Sequence, residues 1–248
     1  MPFDWSIYLQ LSPDGQNTYV QTLLNGLVWT LATALLAWIM ALLLGGLIGT
    51  LRTTAYRWVV SLCQAYVELF RNIPLLVQMF LWFFVLPELL PKAAGLWLKR
   101  LPHAPFVTAV VCLGFFTSAR VAEQVRAGIL ALPRGQRQAG TALGLTLPQI
   151  YRYILLPMAL RIILPPLTSE FLNIIKNSAV ALTIGLVELT AAARSMQEFS
   201  FHVFEAFSAA TILYIVINII VVNGMRWLEK QVQVPGFIGT GGTGGAAH

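Results

Sequence analysis

Eight residues carry charge or hydrogen-bonding capacity within apolar surroundings, and their chemistry suits holding an anion rather than breaking a bond. They are Arg71, Thr117, Ser118, Arg120, Asn173, Lys176, Asn177 and Ser178. A cation at the centre of a membrane helix costs about 2.5–3.5 kcal/mol, so it needs a partner. Guanidinium and ammonium groups complement a carboxylate, and hydroxyl and amide groups add hydrogen bonds. These residues are therefore candidates for a path that carries an acidic solute, with Arg120 first among them.

A second interpretation assigns the same charges to helix packing. Residues three apart on a helix are neighbours and can form ion pairs. The pairs available in this way are Arg120 or Arg126 with Glu123, and Arg71 with Glu68. Lys176 would pair with Glu170 or bind the neighbouring Asn173. The sequence alone leaves both interpretations open.

No catalytic set is recognisable in the sequence. It contains no G-K-[ST] phosphate loop, no G-x-S-x-G elbow and no H-E-x-x-H zinc motif. His103, His202 and His248 are scattered, and Cys63 and Cys112 both lie inside apolar segments. We therefore expect no catalytic residue, no metal site, no disulfide and no cofactor.

The composition is that of a membrane protein. Of the 248 residues, 57% are hydrophobic and only 10% are charged, whereas soluble domains carry about 25% charge. The net charge of +6 does not indicate nucleic-acid binding, because the basic residues form no exposed block with interleaved aromatics. They cluster between apolar runs instead, as orientation signals do.

Five apolar segments are long enough to span a bilayer. The predicted spans are approximately residues 27–51, 58–87, 106–128, 153–175 and 206–225. Arg52 and Arg57 follow the first span and Arg226 and Lys230 follow the last, so the positive-inside rule predicts an outside N-terminus and a cytoplasmic C-terminus. Residues 1–20 would be an outer segment, 21–230 the membrane domain and 231–248 a flexible cytoplasmic tail. Residues 179–187 are too short to span and predict a short or re-entrant piece, with a sixth span near 174–192 as the alternative.

The stretch 126–157 is the longest run rich in positive charge, and it lies between two spans. Pro133 and Gly135 predict the end of the preceding helix, and a second helix is expected over about 136–143. Gly144 stands where a left-handed C-terminal cap is wanted. Thr146 and Gln149 have capping-box spacing and predict the start of a third helix. The segment is therefore expected to form a compact helical elbow facing water or a partner protein.

This elbow resembles a motif of ABC-importer permeases, E-A-A-x3-G-x9-I-x-L-P. Gln138 replaces the acid of that motif and Gly140 its second alanine, while the glycine and the terminal I-x-L-P are intact. In that family the elbow is a coupling helix that docks on a cytoplasmic ATPase. The resemblance implies a coupling loop over about 134–152, and the residues it implicates are Gln138, Ala139, Gly140, Gly144, Leu145, Ile154, Leu156 and Pro157. Ala139 and Gly140 are small and would let another backbone approach closely.

Two further stretches resemble the polar amino-acid branch of the same family. Residues 67–78 are similar to V-E-x-F-R-x-x-P-L-L-V-Q, and residues 176–189 to K-N-S…I-G-x-x-E-L. Arg120 stands where related permeases commonly have an aromatic residue, and in this it resembles the subgroup that handles glutamate and aspartate. Pro74 within the first stretch predicts a kinked or interrupted helix.

The resemblance implies an all-α, type I ABC-importer transmembrane domain in the bacterial inner membrane. Its implied function is ATP-driven, binding-protein-dependent import of polar amino acids, most similar to glutamate/aspartate import, by alternating access. Its implied partners are a cytoplasmic ATPase dimer, an external amino-acid-binding protein and a second permease, either a sister chain or a second copy. A secondary, ion-coupled amino-acid transporter that works without an ATPase is the alternative.

Overall fold

The computed structural model describes residues 4–232, and the predicted tail from residue 233 onward lies outside the described residues. Among the described residues the regular secondary structure is helical, and one isolated antiparallel bridge joins Leu11 to Thr18. The chain is all-α, as predicted.

Eleven α-helices occur among the described residues, numbered here in chain order. They are α1 (Tyr19–Leu51), α2 (Arg57–Asn72), α3 (Leu75–Phe80), α4 (Leu86–Leu89), α5 (Lys92–Lys99), α6 (Ala104–Leu130), α7 (Arg134–Ala142), α8 (Leu147–Ile150), α9 (Leu156–Asn177), α10 (Leu189–Ser200) and α11 (Val203–Val232). Four short segments link or precede them: 3-10 helices at Trp5–Leu9 and Ser178–Ile184, and π-helical turns at Leu81–Val85 and Tyr151–Leu155.

Four helical segments are long and apolar enough to cross a membrane, namely Tyr19–Leu51, Ala104–Leu130, Leu147–Ile184 and Val203–Val232. A fifth candidate is the bent pair of α2 with Leu75–Leu89. The five spans predicted from the sequence fall on these five segments.

The bend in the fifth candidate lies at Pro74 and measures 102°. Proline lacks a backbone N–H, so a helix passing through it loses hydrogen bonds. The carbonyls of Phe70 and Ile73 are satisfied instead by the amide of Gln78, at 2.9 Å each. Gln78 is buried, and a broken backbone at membrane depth needs such a substitute donor.

The core of the fold is the close packing of α1 against α6. An added Cβ on Gly45 would lie 2.6 Å from Val121 Cβ, and one on Gly49 would lie 2.6 Å from the Ala122 carbonyl oxygen. These two glycines therefore allow the helix backbones to approach closely. Gly46, which belongs to the same sequence cluster, has open space at the corresponding point, so it does not contribute to this packing.

The second half of the chain contains one long helix and a short turn of 3-10 helix. Pro165 and Pro166 lie inside α9, which continues through them. The apolar run at 179–187 is a short piece, as predicted, and not a sixth span: it begins within the 3-10 helix Ser178–Ile184, and Gly185 follows with a φ of +90° that turns the chain toward α10. Residues 194–207 are divided between α10 and the start of α11.

Candidate functional site

The elbow contains two helices joined by a glycine turn. Helix α7 ends at Ala142 with Leu143 as its C-cap, and Gly144 follows with a φ of +76°. The Gly144 N–H donates to the Thr141 carbonyl at 3.0 Å and the Leu145 N–H to the Gly140 carbonyl at 3.1 Å. This pair of bonds is a Schellman motif, which requires the left-handed conformation that glycine adopts at little cost. The sequence prediction for Gly144 is confirmed.

The second helix of the elbow begins with the predicted capping box. Gln149 Oε1 accepts from the Thr146 backbone N–H at 2.8 Å, and the Thr146 side chain caps the helix in return. Helix α8 then passes directly into the π-helical turn Tyr151–Leu155 and α9. Pro157 lies in the first turn of α9, where its missing N–H removes one ordinary helical bond.

The two small residues of the motif have different roles in the structure. Gly140 is buried, and an added Cβ would lie 3.0 Å from both Ile150 Cγ1 and Ile154 Cδ1. Its small size therefore allows close packing within this chain. Ala139, together with Gln138 and Gly144, is exposed on the outer surface of the elbow.

The remaining motif residues anchor the elbow to the helix bundle. Leu145, Ile154 and Leu156 are partly buried against the main hydrophobic core. An open cleft of about 800 Å³ lies beside them. Its polar lining includes Thr53, Arg134, Arg137, Gln138 and Tyr151. The elbow thus has an exposed polar face and a buried apolar face.

A charge cluster lies between α1, α2 and α6. Glu123 Oε1 binds Arg52 Nη1 at 2.8 Å and Arg71 Nη1 at 3.3 Å. The side chain of Arg52 is 5% exposed and that of Glu123 is 29% exposed. The expected pairing of Glu123 with Arg120 or Arg126 along its own helix is wrong. The structure likewise gives Glu68 a different partner, because it accepts from Gln64 at 2.8 Å.

Arg120 is loosely held. Its Nη1 lies 3.9 Å from Glu170 Oε2, and its guanidinium carbon lies 4.6 Å from the centre of the Phe116 ring. The buried Oε2 of Glu170 has no hydrogen-bond partner among the described residues. The Arg120 side chain is 37% exposed. One cationic head therefore stays accessible beside a carboxylate with spare hydrogen-bonding capacity.

The other predicted path residues divide between packing and access. Ser118 is buried, 2.6 Å from the Tyr66 hydroxyl, and donates to the Phe115 carbonyl at 2.7 Å. Ser178 is buried and donates to the Ile175 carbonyl at 2.8 Å. The remaining members behave as follows: Thr117 is buried, Asn173 and Asn177 are half-buried, and Lys176 and Arg71 are exposed.

The structure also brings together residues that sequence reasoning did not connect. Glu188 is fully buried and its Oε1 accepts from the Ala191 N–H at 2.8 Å. Its Oε2 accepts from the Tyr214 hydroxyl at 3.0 Å and from Thr30 Oγ1 at 3.4 Å. This network joins α1, α10 and α11. The sequence signals for it were the place of Glu188 in the I-G-x-x-E-L stretch and its position at the end of an apolar run.

Arg52 was another missed residue, since its position after the first span made it an orientation signal. Its partner Glu123 lies 71 residues away in sequence, and no local pattern connects the two. Within residues 4–232, no three His, Cys, Asp or Glu side chains are grouped so that they could hold a metal ion.

Comparison with known proteins decides the class. Residues 41–234 match the model of the family described as binding-protein-dependent transport system inner membrane component. The chain belongs to that family. As a permease component it lies in the inner membrane, and the family implies an ATPase and a solute-binding protein as its partners.

Two curated relatives extend over most of this permease. The glutamate/aspartate import permease protein GltJ of Escherichia coli (strain K12) is 48% identical over 240 residues, which is 96% of this chain and 98% of the relative. The probable amino-acid ABC transporter permease protein PatM of Vibrio harveyi is 32% identical over 94% of this chain and 98% of its own length.

Solved structures agree on the fold. A crystal structure of an amino acid ABC transporter with histidines matches with a TM-score of 0.73 and 30% identity, over 86% of this permease and 95% of that chain. The MetNI methionine ABC transporter in an inward-facing conformation matches with a TM-score of 0.71 at 18% identity, which shows the shared fold alone. The fold is that of a type I ABC-importer permease.

Proposed function

We propose that the chain is the permease subunit of an ATP-driven importer for glutamate and aspartate. The observation that supports glutamate and aspartate as the substrates is the excess of cations between the helices. Arg52, Arg71 and Arg120 pair with only two acids, Glu123 and Glu170, so these five side chains have a net charge of +1. An excess cation inside a membrane bundle is expensive unless an anion visits it. The 48% identity to a glutamate/aspartate permease supports the same substrate.

Arg120 is the residue proposed to contact the substrate carboxylate. Its pairing distance to Glu170 is long for an ion pair with good hydrogen-bond geometry, so a second carboxylate can compete for it. Asn173, Asn177 and Lys176 supply further polar groups on α9, and Arg71 supplies a second cation. Thr117, Ser118 and Ser178 are buried, and their role is to hold the helices that form the path.

The elbow is proposed to receive the force of ATP hydrolysis. Its exposed face, formed by Gln138, Ala139 and Gly144, would lie against the ATPase, and its buried face would transmit the motion into the bundle. The coupling loop then covers about 134–152 within a membrane domain of 21–230. The N-terminal segment 1–20 lies outside, and the C-terminus lies in the cytoplasm. Two elbows for two ATPases require a second permease, either a sister chain or a second copy, and the permease itself hydrolyses nothing.

The substrate proposal is tested by replacing Arg120 in the complete transporter, reconstituted in vesicles with its binding protein and ATPase. Arg120→Ala is expected to lower glutamate-dependent uptake by about tenfold or more, since loss of a charge-assisted hydrogen bond costs about 1.5–3 kcal/mol. Arg120→Lys keeps the charge and should retain part of the uptake. Arg226→Ala, on the exposed surface of α11, is the control. Unchanged glutamate dependence in Arg120→Ala would remove the proposal.

The elbow proposal is tested at Gly144. Gly144→Leu forces a branched side chain into a left-handed conformation, at about 1–2 kcal/mol, and should reduce ATP-dependent uptake and co-purification of the ATPase. Gly135→Leu is the matched control, because Gly135 lies in the same elbow with open space around it and no positive φ. Full uptake in Gly144→Leu contradicts the coupling role. Uptake driven by an ion gradient without any ATPase would favour a secondary transporter instead.

A further inference from the structure

One hydroxyl group ties the elbow to the end of α1. Tyr151 is the first residue of the π-helical turn that follows the elbow. Its hydroxyl donates to the Thr53 carbonyl at 3.0 Å, and Thr53 follows the last turn of α1. The two residues are 98 positions apart, so the bond joins segments that the chain itself does not connect.

The bond is directional. Tyr151 is the donor between the two segments, because the acceptor is the Thr53 carbonyl. The Thr53 hydroxyl donates elsewhere, to the Thr50 carbonyl at 2.7 Å. A hydrogen bond resists both separation and sideways displacement, because its strength falls steeply with distance and angle. The elbow's other contacts with the bundle, through Leu145, Ile154 and Leu156, are apolar, and Gly140 packs against Ile150 within the elbow itself. Tyr151 therefore provides a specific polar link from the elbow to another helix.

Beyond Thr53 the connection continues into the charge cluster. Arg52 precedes Thr53 in the chain, and it binds Glu123 of α6 at 2.8 Å. Glu123 binds Arg71 of α2 at 3.3 Å. Each step from Tyr151 to Arg71 is thus a hydrogen bond, an ion pair or a peptide bond. A displacement of the elbow changes the position of Thr53, and with it the geometry of the Arg52–Glu123 pair.

The backbone at Tyr151 suits this role. A π-helical turn contains one residue more than regular α-helical winding allows, and such turns are frequent at functional sites. The turn separates α8 from α9 at the point where the elbow meets the bundle. Because the turn precedes α9, an adjustment confined to it would move the tyrosine ring without unwinding α9.

We propose that Tyr151 is a positioning residue that transmits displacement of the elbow to the Arg52–Glu123–Arg71 cluster. This inference rests on the coupling role proposed for the elbow. The cluster lies between three helices, so its rearrangement alters how α1, α2 and α6 are held together. The tyrosine hydroxyl is the part required, and the aromatic ring contributes only packing.

The test compares two tyrosines two residues apart. Tyr151→Phe removes the hydroxyl and keeps the ring. Tyr153→Phe makes the same chemical change at a side chain that is 62% exposed and whose ring lies 5.6 Å from the Arg152 guanidinium. Both variants are assembled with ATPase and binding protein in vesicles, and solute transported per ATP hydrolysed is measured. Loss of one hydrogen bond, at about 0.5–1.5 kcal/mol, should lower this ratio about two- to tenfold in Tyr151→Phe and leave it unchanged in Tyr153→Phe.

A double variant tests whether the connection passes through the cluster. If Tyr151 acts through Glu123, Tyr151→Phe combined with Glu123→Gln should lower the ratio no further than the more severe single variant does. Independent, multiplicative losses overturn the inference. An unchanged ratio in Tyr151→Phe overturns it as well, and so does an equal loss in Tyr153→Phe.

The Gly144→Leu variant separates the two levels of the proposal. If Gly144→Leu uncouples the transporter and Tyr151→Phe does not, the elbow retains its role and the tyrosine loses its own. If Gly144→Leu transports normally, the elbow assignment fails and the role of Tyr151 fails with it.

Discussion

Two acids in this permease, one fully buried and one partly buried, are stabilised by different kinds of partner. Glu188 is fully buried and accepts hydrogen bonds from neutral donors, namely Tyr214, Thr30 and the backbone of Ala191. Glu123 is 29% exposed and binds two arginines. The first acid joins α1, α10 and α11, and the second joins α1, α2 and α6.

This difference distinguishes a rigid set of contacts, at Glu188, from contacts that can rearrange, at Glu123. The donors to Glu188 are held by packed helices, one of them at the N-terminus of α10, where a carboxylate also interacts favourably with the helix dipole. Breaking these bonds removes hydrogen bonds from polar groups that water does not reach. The two cations at Glu123 share one oxygen and belong to a cluster with excess positive charge, so their balance changes when a helix moves or an anion arrives. Replacing Glu188 should therefore reduce stability, and replacing Glu123 should change transport.

The largest effect is expected at Glu188. Glu188→Leu removes the acceptor for three donors, and each buried donor left unpaired costs about 1–3 kcal/mol. The thermal unfolding midpoint of the purified permease should fall strongly, and little of the protein should assemble. Glu188→Gln keeps the size and one acceptor oxygen and should lose much less. Equal stability of Glu188→Leu and the unmodified chain would remove the distinction between the two acids.

A smaller effect on stability and a larger one on transport are expected at Glu123. Glu123→Gln leaves Arg52, whose side chain is 5% exposed, without a counter-charge. Removing one partner of a buried pair costs about 3–5 kcal/mol, and the partial exposure of Glu123 places the cost at or below the lower end. We expect ATP-coupled uptake to fall at least tenfold while the folded protein is still recovered. A variant that unfolds as readily as Glu188→Leu would show that both acids serve stability alone.

The smallest effect is expected at an acid outside the membrane spans. Hydrogen bonds from the Asn17 side chain and backbone and from the Gln16 N–H lower the pKa of Asp14 from 3.8 to about 2. A carboxylate with a lowered pKa in the folded state stabilises the protein at pH values above its unfolded-state pKa. That contribution disappears as the pH falls from about 3.8 through about 2. The difference in unfolding midpoint between the unmodified chain and Asp14→Asn should therefore shrink as pH is lowered through this window. A difference independent of pH would contradict the role of the Asp14 charge.

Local patterns were enough to predict the elbow. Gly144 adopts the left-handed cap and Thr146 with Gln149 forms the capping box, because these features depend on residues within a few positions of one another. Pro74 bends the second span for the same kind of reason. The packing of Gly140 was not predictable in this way, since its neighbours Ile150 and Ile154 meet it only after the chain has folded back.

Ion pairing was where prediction failed. Spacing along α6 predicted that Glu123 pairs with Arg120 or Arg126. In the folded chain it pairs instead with Arg52, at the end of α1, and with Arg71 on α2. Neighbours on one helix contribute only about 0.2–0.5 kcal/mol per pair, and a cation excluded from water gains far more from an acid that packing brings alongside it. The bond of Tyr151 was not predicted, because no local sequence pattern connects a tyrosine beside an apolar run with a partner 98 residues away.

The sequence by itself determined the class of the protein, the spans, the bend at Pro74 and the elbow, since hydrophobicity, proline, glycine and capping residues act over a single helix or turn. Only the tertiary structure decided which charges neutralise one another and which hydroxyl joins the elbow to α1. Those choices depend on which helices pack side by side. Burial then makes each resulting contact strong enough to prevail over its local alternatives.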